Sequence, residues 1–388
     1  MLRGMTDREY DVVLFGATGF TGGLTADYLA ANAQPGTRWA IAGRSQAKLD
    51  AVHERLGGNV ATLVADAGDP ASVARIAQAT KVVATTVGPY IRYGEPLVAA
   101  CAAAGTHYVD LTGEPEFVDT MYLRHHATAA ESGARIIHAC GFDSIPHDLG
   151  AQFCVEQLPE GVPLRVRGFV TGDGLFSGGT FDSATTAMAR GRQTLAAAKQ
   201  RRAREPRPEG RRIHGEAKPG YEKELGKFAI PLPTVDPQII LRSAAALERY
   251  GPDFTYGHYA AIKSPLYVLG GVAAVAGILV GSQIPPVRRK LVSLRPPGTG
   301  PSEERRANSW FKVTFIGDGG GKHVVTTVSG GDPGYTETAK MLAESALCLA
   351  HDDLPQTAGQ VTTAQALGPA LRERLVRAGM KFEVERAG

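Results

Sequence analysis

The chain has 388 residues, of which 43% are hydrophobic and 21% charged. That length suggests two domains, and the composition is that of a folded globular protein, which excludes a disordered one. A formal net charge of +3 gives no global reason to expect nucleic acid as a partner.

The chain opens without a signal-peptide pattern, because Asp7, Arg8, Glu9 and Asp11 interrupt any apolar run,. Asp11-Val-Val-Leu-Phe15 then reads as a buried strand that enters the turn Gly16-Ala-Thr18-Gly19-Phe20-Thr21-Gly22. Gly23 to Ala30 continue at helical spacing. Such a strand–turn–helix unit lets the backbone approach a pyrophosphate and aims the first helical N–H groups at its charge. The spacing is GxxGxxG rather than GxGxxG, so the surrounding strand and helix carry the expectation of a dinucleotide.

The second strand, Arg38–Ala42, exits at Gly43-Arg44-Ser45, with Lys48 one turn further on. An acid at this exit would accept from a ribose 2′-hydroxyl. A guanidinium, a hydroxyl and an ammonium instead suit a 2′-phosphate, so NADPH is the expected cofactor. The plainer reading of Arg44 is a solvated residue at a strand end.

With the first strand taken as Tyr10–Phe15, further strands are expected at Val60–Val64, Lys81–Val87, His107–Leu111 and Arg135–Ala139. Helices fall between them at Gln46–Leu56, Pro70–Ala79, Glu95–Ala104 and Pro115–Ser132. Six alternating strands predict an α/β fold with a doubly wound, Rossmann-type parallel sheet. Ligands bind such sheets at the carboxyl ends of the strands. Asp66 then lies near the adenine or caps the next helix, and Val87-Gly88-Pro89 lies near the ribose and nicotinamide. Cys140 ends the sixth strand, either as a site thiol or as small buried filler.

Beyond about Gly150 the alternation stops. Strands are expected at Leu164–Thr171, Gln238–Arg242, Phe254–Ile262, Trp310–Ile316 and His323–Val328, with Gly317 to Gly321 as the last hairpin's turn,. Helices are expected at Thr180–Gln200 and Thr336–His351. The resulting division is a dinucleotide domain over 1–150, an inserted α+β substrate domain over 151–335, and C-terminal helices over 336–388 that pack back on the first domain. Arginine-rich Lys199–Arg212 reads as a solvated, mobile loop, or as a basic patch that attracts an anionic membrane or an acidic carrier protein. Ser264–Val287 carries no charged side chain and is followed by Arg288-Arg289-Lys290. Three readings stand for it: a packing helix, an interfacial segment that touches lipid through 264–290, or a membrane span.

Gly16–Gly22, Ala42-Gly-Arg-Ser45, Val87-Gly-Pro-Tyr90, Tyr93–Cys101, Tyr108-Val-Asp-Leu-Thr-Gly-Glu114 and Ala139-Cys-Gly-Phe-Asp-Ser-Ile-Pro-His-Asp148 occur in order. Together these motifs resemble the saccharopine dehydrogenase-like oxidoreductases. Within that family they are most similar to the trans-acting enoyl reductases of actinobacterial, especially mycobacterial, lipid synthesis. The resemblance departs from that branch around Lys199–Tyr221. It implies NADPH-dependent reduction of a carbon–carbon double bond in an acyl or polyketide intermediate made by a separate synthase. Lysine-pathway members of the family act on an amino acid adduct instead, and a cofactor-sensing binding protein is the reading from another class.

Enoyl reduction needs a hydride, a proton and a donor for the enolate oxygen. The candidates at strand ends are Tyr90, beside the nicotinamide or as a phenolic donor; Asp143, which closes the sixth strand; and His147, as a proton donor near neutral pH. Each of these has a structural reading as a cap, turn or packing residue. Tyr90 is followed at four by Gly94 and Tyr108 by Thr112, so neither heads a YxxxK relay; there is no GxSxG elbow and no His or Cys cluster at metal-ligand spacing, so no metal is expected. The expected partners are the acyl substrate, carried by a synthase or carrier, and a second copy in a homodimer. The expected location is cytoplasmic, with or without membrane contact.

Overall fold

The computed structural model describes residues 8–173, 190–265 and 300–387. Ser264 and Pro265 apart, the apolar segment lies outside these, as does most of the helix expected over Thr180–Gln200 before residue 190. No helix among the described residues is long and apolar enough to cross a membrane.

The first sheet contains β1 (Tyr10–Phe15), β2 (Trp39–Gly43), β3 (Ala61–Val64), β4 (Thr80–Thr85), β5 (His107–Asp110), β6 (Arg135–Ile137) and β14 (Gly359–Val361). Their order across the sheet is β14-β6-β5-β4-β1-β2-β3, and every pairing is parallel. The strand order reverses between β1 and β4, which is the crevice where doubly wound sheets bind ligands. Val12 to Phe15 are all buried, as expected of a strand covered on both faces. Helices α1 (Phe20–Asn32), α2 (Gln46–Arg55), α3 (Pro70–Ala79), α4 (Tyr90–Tyr93), α5 (Glu95–Ala104) and α6 (Pro115–Ser132) connect these strands. Gly105 and Gly133 end α5 and α6 at φ +71° and +80°, the left-handed stop that glycine adopts without a Cβ penalty. A buried charge fixes the sheet's other end, where Asp11 accepts from Arg38 at 3.0 Å and pairs with Lys81 at 2.9 Å.

The second sheet runs β15-β13-β12-β7-β11-β10-β9, with β8 paired to β11. Its strands are β7 (Leu164–Gly172), β8 (Arg212–Glu216), β9 (Gly220–Glu222), β10 (Lys227–Pro231), β11 (Asp253–Ile262), β12 (Phe311–Gly319), β13 (Lys322–Gly330) and β15 (Lys381–Ala387). Helix α7 (Ile145–Glu156) leaves the first sheet and packs on β7, β12 and β13, so residue 150 falls inside a helix. One hydrophobic core runs from Val12 and Leu14 through Leu149 to Phe315 and Val328. The C-terminal stretch divides between the sheets: β14 adds a seventh strand to the first, helix Thr336–His351 packs on α1 and β4, and β15 joins the second.

Two sequence expectations are corrected here. Gln238–Arg242 is helical, within helix Asp236–Ala246, where Ile239, Ile240, Ser243 and Ala244 are buried at helical spacing. Asp236-Pro237 starts that helix, with proline in the first turn, where its missing N–H costs nothing. Lys199–Arg212 is not a solvated loop throughout. Helix Gly191–Arg204 covers its first half, and Arg201 is buried against Asp119 of α6. Glu205 bonds both Arg201 and Arg242. Arg201 is held by an acid distant in sequence, while Arg202, Arg204 and Arg207 stay exposed.

Candidate active site

The glycine turn sits at the carboxyl end of β1. Gly16 has φ +97°, and a Cβ there would meet Thr86 Oγ1 at 2.7 Å, so both turn geometry and closeness to β4 demand glycine. A Cβ on Gly22 would lie 2.1 Å from Gly16 O, because α1 presses directly on the turn. Gly19 differs from both. It is the N-cap of α1 with extended backbone, and a Cβ there would meet only Gly16 O at 3.4 Å. The fold therefore tolerates a side chain at Gly19, and its bareness leaves the end of α1 open to a ligand. No side chain caps that helix end. Turn tightness, backbone access and close packing are the three separate uses of glycine in a pyrophosphate-binding turn.

Adjacent strand exits line up beside it. The Gly16 N–H donates to Ala42 O at 2.8 Å, and Thr86 Oγ1 donates to Gly16 O at 3.2 Å. A Cβ on Gly43 would sit 3.7 Å from Thr18 Oγ1, which puts Thr18 at the exit of β2. Arg44 and Lys48 are exposed and Ser45 is half-buried. Ser45 is the N-cap of α2, but its side chain makes no cap bond. Thr21 is half-buried in the first turn of α1. Phe20 is turned away from the turn: its ring meets Tyr335 edge-on at 5.0 Å and Arg306 lies over it at 5.4 Å. Asp66 is exposed after β3 and accepts from the Gly68 N–H at 2.8 Å. The cap of α3 is Asp69, which accepts from the Ala71 N–H. Val87, Gly88 and Pro89 follow β4, with Gly88 exposed and the Gly88–Pro89 bond cis.

The catalytic candidates separate sharply. Tyr90 is buried, donates to Thr85 O at 3.1 Å and accepts from the Leu111 N–H at 3.2 Å. Burial, then the fields of Asp110, Glu114 and Asp143, push its phenol well above its ordinary pKa. That hydroxyl is committed to the backbone on both sides. Glu114 holds the start of α4 by accepting from the Tyr90 and Ile91 N–H groups at 3.0 and 2.9 Å.

His147 is buried, and burial together with nearby His258 pushes its pKa well below the usual imidazole value. It is neutral at physiological pH, which removes the basis for a proton donor titrating near 7. Asp143 is the remaining candidate. It is half-buried in the loop after β6, its Oδ2 would lie 3.1 Å from a Cβ on Gly113, and it makes no hydrogen bond among the described residues. Desolvation lifts its pKa to about 6. Cys140 is buried, with its thiol raised by burial, then by Asp110, so it is filler rather than a reactive group.

Sequence reasoning missed two buried groups, Asp236 and His258. They meet His147 from different elements: α7, the start of helix Asp236–Ala246, and β11. The three ligand atoms lie within 4.8 Å of one another. No local spacing announces this, since the residues come from three separate stretches of chain.

The parallel sheet, the turn and the basic β2 exit define a dinucleotide-binding oxidoreductase fold. A family model for the saccharopine dehydrogenase NADP-binding domain matches residues 12–137, and NADPH is the cofactor. Several curated relatives match nearly end to end. One from Mycobacterium tuberculosis, provisionally named a trans-acting enoyl reductase, is 38% identical over 98% of this chain and 99% of its own length. Proteins named trans-acting enoyl reductase from Mycobacterium ulcerans and M. tuberculosis are 33% and 35% identical, covering 98% and 96% of this chain and 98% and 97% of their own. The chain belongs to the saccharopine dehydrogenase-like oxidoreductases, with the trans-acting enoyl reductases among its relatives. The apo saccharopine dehydrogenase (L-Glu forming) from Saccharomyces cerevisiae superposes with a TM-score of 0.57 at 12% identity, covering 97% of this chain and 100% of that one. That likeness concerns the fold alone.

Proposed function

We propose that the chain uses NADPH to reduce the carbon–carbon double bond of an acyl or polyketide intermediate delivered by a separate synthase or its carrier. The observation that carries this is the near-full-length similarity to relatives named trans-acting enoyl reductase, at 33–38% identity. The open end of α1 supports it, because that is where a pyrophosphate would rest.

In this reading Gly16, Thr18, Gly19, Thr21 and Gly22 form the pyrophosphate cradle, and Phe20 anchors it through Tyr335. Arg44, Ser45 and Lys48 take the 2′-phosphate. Asp66 borders the adenine, while Val87, Gly88 and Pro89 border the ribose and nicotinamide. Bound NADPH supplies a hydride from nicotinamide C4 to the β-carbon. Asp143 gives its proton to the α-carbon, closing the balance of one hydride and one proton per double bond, and regains it from solvent through its exposed side. This role rests on position: among the described residues Asp143 is a candidate carboxyl that lies near the strand exits and has no hydrogen-bond partner. Residues 151–335 hold the acyl chain.

The test is loss of NADPH fluorescence on mixing with an enoyl-pantetheine thioester and, separately, with enoyl groups on a carrier protein. Turnover with either supports the reading. Turnover only with an amino acid or a small carbonyl compound replaces it with the lysine-pathway type of chemistry. NADPH binding without turnover on any of these makes the protein a sensor. Asp143→Asn should lower kcat by about 10²–10⁴-fold while NADPH binding is unchanged; an unaltered kcat removes Asp143 from the mechanism.

A further inference from the structure

We propose that His147, Asp236 and His258 bind a divalent transition-metal cation of the zinc type, in a buried site between α7, β11 and helix Asp236–Ala246. His147 Nε2 stands 3.4 Å from Asp236 Oδ1, and His258 Nε2 stands 3.7 Å from Asp236 Oδ2. Zinc bonded to nitrogen and oxygen at about 2.0–2.1 Å in tetrahedral geometry separates its ligand atoms by roughly 3.3–3.4 Å. The spacings found are near that value and too long for good hydrogen bonds.

The second observation is a polar atom left bare in the interior. The Asp236 side chain is 3% exposed, and its Oδ1 has no hydrogen-bond partner. Both imidazoles that face it are 2% exposed. A buried carboxylate oxygen without a partner is costly, and such a group in a native fold calls for an ion or a water. Two imidazoles and a carboxylate are a donor set that zinc accepts.

The surroundings suit ligation rather than an ion pair. His258 Nδ1 lies 3.1 Å from the buried Tyr256 hydroxyl, which holds Nε2 toward Asp236. Engagement of the outer ring nitrogen in this way orients a metal-bound histidine. The cation would pin α7 to β11 and to helix Asp236–Ala246, joining the exit of the first sheet to the second.

The site is tested on full-length protein purified without metal-affinity resin, by elemental analysis and by zinc and cobalt titration of chelator-stripped samples. Expected are about one zinc per chain, a rise in Tm when zinc is restored, and a visible ligand-field band for tetrahedral cobalt. His258→Gln should abolish both binding and the Tm response. Tyr256→Phe, which keeps the shape, should weaken zinc by about 10-fold or more. Absence of bound metal after growth with zinc, with no Tm response and only the spectrum of hydrated cobalt, overturns the proposal and leaves a trapped water in the triad. Unchanged zinc binding in both variants also overturns it. NADPH titration of the same samples reports on the nucleotide site independently, so failure of one reading is distinguishable from failure of the other.

Discussion

Gly19→Ala should separate the nucleotide site from the fold. The new Cβ would make one ordinary contact, 3.4 Å from Gly16 O, at φ −83° and ψ 170°. Alanine adopts that backbone freely, and removing a glycine from the unfolded chain stabilises by about 0.4–1 kcal/mol. The Tm of the free protein should therefore hold or rise slightly. NADPH should suffer, because the methyl occupies the approach of the pyrophosphate to the first N–H groups of α1. Losing one charge-assisted hydrogen bond costs about 1.5–3 kcal/mol, or about 10- to 150-fold in Kd. Gly22→Ala makes the opposite control. Its Cβ would lie 2.1 Å from Gly16 O and 2.8 Å from Gly16 C, a backbone clash that forces the turn off α1 and costs about 1–3 kcal/mol or more. The assays are thermal unfolding of the free protein and a fluorescence titration with NADPH. Wild-type affinity in Gly19→Ala, or a wild-type Tm in Gly22→Ala, would refute the division of labour among the three glycines.

Arg44→Ala should weaken NADPH by about 10- to 150-fold, from one lost charge-assisted contact, and leave NADH nearly unchanged; equal losses in calorimetry would remove Arg44 from the 2′-phosphate. Arg201→Ala should cost about 3–5 kcal/mol in chemical denaturation, because it strips a buried partner from Asp119,. A loss below about 1 kcal/mol would mean that Gln238, which donates to Asp119 at 2.7 Å, is sufficient. Burial alone would raise the Asp11 pKa, but hydrogen bonds from Arg38 and Lys81 outweigh it and hold the carboxyl far below its ordinary value. Its stabilisation is therefore complete above the unfolded carboxylate pKa, about 3.9, and is lost as pH falls below that toward the folded value. Asp11→Asn should flatten the acid limb of a stability–pH curve and leave the neutral-to-basic limb parallel to wild type; an unchanged acid limb would contradict the assignment.

What the sequence made legible was local. The turn at Gly16, Gly19 and Gly22 is written in three glycines within seven residues, and the strand that enters it is a continuous apolar run. The basic exit at Arg44 follows directly from strand order. What it hid was nonlocal or too short. β14 has three residues, fewer than any alternation needs to declare itself. The Ile239-Ile240-Leu241 run reads as a strand until Asp236-Pro237 is recognised as a helix start. Arg201 looks solvated by composition, because the acid that buries it, Asp119, lies 82 positions away. Tyr90 and His147 stand at strand exits as a catalytic group would, yet burial and backbone partners decide their roles, and neither is readable from the motif around them.

Helix α7 explains why so much chemistry gathers in a dozen residues. A loop joins β6 to α7, and in it Asp143 lies beside Gly113, past the end of β5. Two residues of the helix's first turn contact other elements. His147 faces Asp236 and His258, and Asp148 accepts from Thr363 Oγ1 at 2.6 Å and from the Ala364 N–H at 2.8 Å. Both contacts are made by segments that follow the nucleotide domain in sequence, one of them from the second sheet. A buried polar contact fixes position more narrowly than apolar packing, since a small shift leaves its partner unsatisfied. The placement of Asp143 beside Gly113 is thus set by the second sheet and the C-terminal helices as much as by the sheet from which it emerges. A nucleotide domain cut at residue 150 would keep the glycine turn and Arg44 but lose what orients α7. Cofactor binding and reduction are therefore expected to depend on different parts of the same chain.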